Sequence, residues 1–333
     1  MKWSLTRAFW IAFLLYSTTG VGQQYGFYSL YQQNWQIINP AAPNILFIQT
    51  KNDVGNIINV GYREQWIGLK GTPRNYNIYF ETMTSGDVGR ELNAKWGFGL
   101  YGESTGVIFN NTAYFNYAYP LSFGRRYSKR NNKLFIGFNA GYFFQRLNTE
   151  GVNFDDRSDQ AIFDFVNPTD SSRNNSFFEL TPGLFYTNTE SFYVGISSPR
   201  FVKTGKAFQN FEVLNKKPQI HLIAGYFNRA KTFQPSIWLR YQAGIDYLSL
   251  FDSSPISATF KVRSQLNKTL TLGAGMSTGK WLHLEGSWTL GAKRNYDNNN
   301  SQYMTIGFAY DLPIYKTGFT LGQTAEINLL FSL

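Results

Sequence analysis

The chain has 333 residues, 43% of them hydrophobic and 18% aromatic, with 30 glycines, no cysteine and a formal charge of +10. That aromatic and apolar content excludes a disordered chain, and the lack of cysteine excludes a disulfide framework and any thiolate metal site. The basic residues are scattered among apolar segments instead of clustered, which argues against a nucleic-acid partner and leaves lipid A phosphates or acidic partners at the cell surface as counter-charge.

The first element reads as an export leader. Lys2 and Arg7 give a basic start, Ala8 to Tyr16 an apolar stretch, and Gly20-Val21-Gly22 the small residues that signal peptidase reads. Residues 1–22 are expected to be removed, because the apolar run is shorter than the roughly 20 residues of a membrane-spanning helix. No later apolar run reaches that length, so an exported chain of this kind enters a membrane only as a barrel. Residues 23–55 are then an N-terminal extension or lumenal segment, and residues 56–333 a transmembrane β-barrel.

From about residue 57 apolar and polar residues alternate. The pattern covers 57–66, 75–83, 94–103, 112–123, 133–146, 177–187, 191–199, 219–228, 236–243, 257–265, 269–278, 281–290, 302–311 and 323–333. Most of these match the roughly nine to eleven residues of a tilted membrane strand. A shorter stretch, 45–50, is set aside because bacterial single-chain barrels have even strand numbers. The expected fold is all-β: an outer-membrane barrel of 14 antiparallel strands.

The faces agree from strand to strand. Ile58, Val60 and Tyr62 oppose Asn59, Gly61, Arg63 and Gln65; Phe260 and Val262 oppose Thr259, Lys261 and Arg263; Ile327, Leu329 and Phe331 oppose Glu326, Asn328 and Ser332. A soluble sandwich has the same period, and strand length, the leader and the half-apolar final strand decide for the barrel. Trp66, Trp96, Tyr119, Phe123, Tyr142, Tyr226 and Trp288 fall near strand ends or on the greasy face, as an interfacial girdle requires. Among the connections, 148–176 and 200–217 are long and 188–190 and 266–268 tight; with the C-terminus periplasmic, the long ones lie outside. The connection 291–301 breaks this pattern by being long on the periplasmic side. The preferred external contact is 148–176.

Little in the chain suggests catalysis. His283, Glu285 and Ser287 share a face of one strand, but steps of about 7 Å along a strand are too long for a triad built from neighbours. No nucleophile elbow, zinc-protease helix, phosphate loop or calcium loop is present. The expectation is no enzyme, no cofactor and no metal. Inward Arg63, Lys95, Arg240, Lys261 and Arg263 suit an anion-selective porin or nutrient channel, whereas inward Tyr79, Tyr101, Phe135 and Phe143 suit an occluded lumen.

Two stretches carry a resemblance. One is Tyr31-Gln-Gln-Asn-Trp-Gln-Ile-Ile-Asn39-Pro40-Ala41-Ala42; the other contains Tyr62-Arg63, Gln65-Trp66, Gly68, Gly71 and Pro73. Near the end stand Tyr310-Asp311-x-Pro313 and Glu326-Ile327. Together these resemble the PorP/SprF family of outer-membrane proteins of the type IX secretion system. Pro43-Asn44 and Thr324-Ala325 depart from the family's usual Ala-Gly and Ser-His, and the terminal residue is Leu333, with Phe331 the nearest aromatic.

The resemblance implies a non-enzymatic barrel that supports export or surface attachment of a cognate secreted protein with a C-terminal secretion domain, gliding adhesins among them. Other components of the same system are the implied partners, with membrane lipid and lipopolysaccharide around the barrel. Physical chemistry gives the motif residues roles. Asn39-Pro40, followed by Ala41, stiffens a turn. Arg63 is expected to pair with a lumenal carboxylate such as Glu81, Trp66 to anchor a strand end, and Gly68, Gly71 and Pro73 to shape the turn that follows. The set either holds the N-terminal segment inside the barrel or touches a partner.

Overall fold

A computed structural model describes residues 28–44, 47, 56–85, 92–123, 132–148, 174–188, 192–206, 219–227, 233–242, 256–266, 269–278, 281–291, 303–314 and 322–332. The expected leader, residues 1–22, lies outside the described residues.

The strands are β1 (Asn56–Glu64), β2 (Arg74–Ser85), β3 (Leu92–Thr105), β4 (Ile108–Phe123), β5 (Asn132–Leu147), β6 (Asn174–Asn188), β7 (Phe192–Ser197), β8 (Val202–Lys206), β9 (Gln219–Tyr226), β10 (Phe233–Gln242), β11 (Ile256–Gln265), β12 (Leu270–Ser277), β13 (Trp281–Leu290), β14 (Tyr303–Pro313) and β15 (Thr324–Ser332). Each stave pairs antiparallel with its neighbour, and β15 pairs with β1 from Ile57↔Ser332 to Glu64↔Ala325, which closes the sheet. Closure satisfies the edge groups that bare lipid cannot.

Fifteen strands make fourteen staves, because β7 and β8 are two halves of one. Both pair with β6, β7 along Gly183–Asn188 and β8 along Ser176–Leu180. The break falls where Pro199 lacks an N–H and Arg200 takes a left-handed φ of 58°. The expected long connection 200–217 therefore begins as strand. In the stretch 45–50 the one described residue, Phe47, is helical, not strand.

The alternation predicts the faces. Val60, Ile78, Phe98, Ile136, Phe260, Leu284, Phe308 and Ile327 are exposed on the outside, while Asn59, Arg63, Asn77, Lys95, Lys261, Glu285, Asp311 and Glu326 are buried within. The barrel is thus inside out relative to a soluble protein, with an apolar belt for lipid and a polar interior. No helix among the described residues is long and apolar enough to cross a membrane. One wall is taller: β2 to β6 have 12 to 16 residues, β9 to β15 only 8 to 11.

Residues 28–44 occupy the lumen. This segment holds one short helix, α1 (Trp35–Ile38), and its side chains are almost all buried against inward-facing strand residues. It runs from the level of Arg63, near the end of β1, to the level of Glu81, which pairs with Ile57 at the start of β1.

Candidate functional site

The lumenal segment is held at two places by different chemistry. The first is a charged clamp around Ser29. Arg63 on β1 reaches Asp311 on β14 at 3.1 Å and Glu326 on β15 at 3.5 Å. Glu326 accepts the backbone N–H groups of Ser29 (2.6 Å) and Leu30 (3.2 Å), while the Ser29 hydroxyl donates to Asp311 at 2.5 Å and accepts from Arg63 at 2.7 Å. Lys261 donates to the Ser29 carbonyl and pairs with Glu285 at 3.0 Å, and Arg263 closes the set on Glu285. His283 sits directly across the ladder from Asp311, its Nδ1 at 2.7 Å from the carboxylate. Such charges stay buried only because each finds a counter-charge and hydrogen bonds.

One turn on, Asn34 is a hub. Its side-chain oxygen accepts from the amides of Asn59 (3.0 Å), Asn77 (3.1 Å) and Asn328 (3.2 Å), on β1, β2 and β15. Trp35 packs on Tyr193 and Phe185 with ring centroids 4.7 and 5.4 Å apart, and Tyr31 packs on Trp238 while bonding Ser236 at 2.5 Å.

The second attachment is an uncharged notch. The side-chain oxygen of Asn39 accepts from the Ala41 N–H at 2.9 Å, which makes the turn expected from Asn-Pro. Its amide donates outward to the carbonyls of Leu184 (3.0 Å) and Ile196 (3.3 Å) on β6 and β7. Asn116 donates to the Pro40 carbonyl at 3.0 Å. The backbone comes this close because three glycines floor the notch. A Cβ on Gly183 would run into Asn39 and Pro40, one on Gly195 would meet the Asn39 amide at 2.6 Å, and one on Gly137 would meet Ala41 at 2.9 Å. Beyond it, Lys95 donates to the Ala42 carbonyl at 2.6 Å, and Glu81 accepts from the Asn44 N–H at 2.9 Å and from Gln36.

Three motif residues that lie far apart in the chain, Arg63, Asp311 and Glu326, thus meet on one serine. The pairing of Arg63 with Glu81 is corrected: antiparallel register sets Arg63 opposite Asn75 and Glu81 opposite Ile57, near the other end of β1. The partner of Glu81 is Lys95, at 3.8 Å. Asn39, Pro40 and Ala41 form the notch contact. Gln65, Trp66, Gly68, Gly71 and Pro73 build the β1–β2 connection instead, with the Gln65 N–H on the Pro73 carbonyl (2.9 Å) and left-handed Trp66, Gly68 and Gly71. Tyr310 faces outward and bonds Gln323 at the rim. Sequence reasoning missed Ser29, the hub role of Asn34 and the three notch glycines, and read Lys95 only as a channel cation. Inward alternation marks the glycines no more than many other strand positions, and Ser29 and Asn34 lie before the first strand, where no alternation marks them.

His283 and Glu285 do not face a common serine: the one turns to Asp311 and the other to Lys261 and Arg263. No group of three or more potential metal ligands occurs among the described residues. The cations that suited an anion channel are engaged with Asp311, Glu326, Glu81 and Glu285, or, for Arg240, with the Ser257 hydroxyl at 3.2 Å.

Comparison with known proteins agrees with this architecture. The profile of the family described as type IX secretion system membrane protein PorP/SprF matches residues 20–331. Among curated protein sequences none matches. Among solved structures, a TodX monoaromatic hydrocarbon channel lacking S2 and S3 superposes with a TM-score of 0.50 at 12% identity, over 92% of this chain and 98% of that one. The P. putida toluene transporter TodX gives 0.45 at 12% over 95% of each, and the KdgM porin 0.37 at 8% over 83% of this chain and 99% of its own.

Proposed function

The chain belongs to the PorP/SprF family of type IX secretion system membrane proteins and is an integral outer-membrane barrel; from that premise we propose that it supports the export and cell-surface attachment of one cognate secreted protein, and that it does so without catalysis. The observation that carries this reading is the filled lumen. A channel needs a solvated path, whereas here the chain's own residues 28–44 cross the interior, fixed by ion pairs at one level and a glycine notch at another. A barrel occluded by its own segment is suited to be a platform, with its binding surface on the connections and rim.

The client in this reading carries a C-terminal secretion domain and is a large surface protein such as an adhesin, of the kind used in gliding. Residues 1–22 direct the chain across the inner membrane. The partners are other secretion components, with lipid and lipopolysaccharide around the belt.

Affinity purification of the tagged protein from outer membranes in mild detergent, with mass spectrometry, tests the reading. Recovery of one adhesin-like protein together with secretion components supports it, and deletion of the chain then leaves that one protein unexported or shed. Recovery of the barrel alone, with large stable anion-selective openings in single-channel recording, overturns it in favour of a porin.

A further inference from the structure

A groove of about 510 Å³ runs down the outer face of β12 to β15 and β1. Its floor is made by Gly286 and Ala325, which stand where neighbouring staves carry large side chains. Its walls are Leu272, Leu284, Phe308 and Ile327, with Tyr62 on the far side. Nothing fills the missing volume: a Cβ at Gly286 would find only ordinary contact with Leu272, at 3.4 Å. The outer face carries a second groove, of about 580 Å³, over β1 to β4; the slot on β12 to β15 and β1 is set apart by what stands at its upper end.

The chemistry along the slot changes with height. Leu272, Gly286, Phe308 and Ile327 lie in its lower part and are wholly apolar. At the upper end the hydroxyl of Tyr62 meets Glu64 at 3.3 Å and that of Tyr310 meets Gln323, so both tyrosines turn their polar tips to the same boundary. Above it sits the β1–β2 connection, pinned by the Ile67 N–H on the Gln323 carbonyl at 2.9 Å, with Ile67 lining the slot as a lid. Cations stand at this end. Lys70 is exposed within the connection, and Arg74, the first residue of β2, bridges to Glu64 at 3.0 Å with over half of its side chain exposed.

The connections at this end of the barrel include 148–173, 207–218 and 243–255, whereas those at the C-terminal end are mostly short. The upper end therefore faces the cell exterior and the slot lies in the outer leaflet. A ligand that is apolar below and anionic above, in that leaflet, is lipid A. We propose that this slot is a lipid A site: one acyl chain lies along Gly286 and Ala325 beneath Ile67, and a glucosamine phosphate sits against Lys70 and Arg74. The assignment is independent of the secretion role, since it rests only on the barrel and its orientation.

The test is to purify the full chain from outer membranes, quantify bound lipid A and phospholipid by mass spectrometry, and compare two variants. Gly286→Ala combined with Ala325→Leu fills the slot from below; Lys70→Ala combined with Arg74→Ala removes the cations above. Folding is checked for each by heat-modifiable mobility. At least a fivefold loss of retained lipid A from both folded variants is expected, together with a rise in thermal midpoint when wild type is moved from phosphatidylglycerol vesicles to vesicles containing lipid A. Unchanged retention in either folded variant overturns the proposal. So does a slot that holds phospholipid instead, or one that a co-purified protein covers in cross-linking from position 325. Should a variant fail to fold, the vesicle comparison on wild type decides alone, and equal midpoints there refute the site.

Discussion

The two attachments of the lumenal segment do the same job by opposite means. Around Ser29 the barrel supplies charges, and the segment supplies mainly backbone: two N–H groups, a carbonyl and one hydroxyl. Around Asn39 the barrel supplies carbonyls, the uncharged Asn116 amide and absent side chains, and the segment supplies shape. A buried charge network is intolerant of losing one member, since the remainder is left uncompensated in a low-dielectric interior. A notch tolerates the loss of a hydrogen bond but not the addition of volume. The difference teaches where each anchor breaks.

Removing a charge has the largest effect. Arg63→Ala leaves Asp311 and Glu326 facing each other without their cation, and the expected cost is about 3–5 kcal/mol. Limited proteolysis of the inserted barrel should then cut near Ser29 while the Asn39 end stays protected, with heat-modifiable mobility retained. Normal mobility with an intact segment would sink the clamp. Combining Arg63→Met with Asp311→Asn and Glu326→Gln removes charge of both signs and should recover much of the loss, which a comparison of unfolding midpoints between the triple variant and Arg63→Ala reads.

Adding volume comes next. Gly183→Leu puts a branched side chain where a single Cβ already collides with Asn39 and Pro40, and the expected cost is about 1–3 kcal/mol. Proteolysis should open the segment near Asn39 while the Ser29 end stays protected, the reverse of the Arg63→Ala pattern. Identical cleavage maps for the two variants would show that the anchors act as one unit.

Smaller again is Asn39→Ala, which removes the bonds to Leu184 and Ile196 and the turn bond to Ala41 at a cost of about 1–2 kcal/mol. Smallest is Glu64→Gln, which breaks the outward pair with Arg74. An exposed pair contributes at most about 1 kcal/mol, so the unfolding midpoint should scarcely move. A large drop there would mean that the rim, too, helps to hold the segment.

Legibility in the sequence followed the range of the signal. All fourteen staves were visible because alternation is local, and because one polar interior and one lipid exterior impose it on every strand. Stave seven was read short, since Pro199 looks like an ending when its neighbours are unknown. The motif residues were found through resemblance, but their grouping was not. Arg63 lies 248 positions from Asp311 and 263 from Glu326, and only closure of β1 on β15 makes them neighbours. Glu81 was taken away from Arg63 by the register of the β1–β2 hairpin, which pairs Arg63 near the turn with Asn75 and leaves Glu81 opposite Ile57.

What the sequence determined by itself was the kind of molecule: a membrane barrel, its strand count, the face each residue takes and its family. Those depend on period-two patterning and short motifs, which need no partner strand to be read. The tertiary structure alone decided what fills the interior. Lys95, Lys261 and Arg263 find their carboxylates on nearby strands, but ring closure alone brings Asp311 and Glu326 to Arg63. Whether these cations line a channel or grip a plug depends on residues 28–44 running inside, a contact that for Lys261 and Ser29 spans 232 positions and that no local pattern fixes.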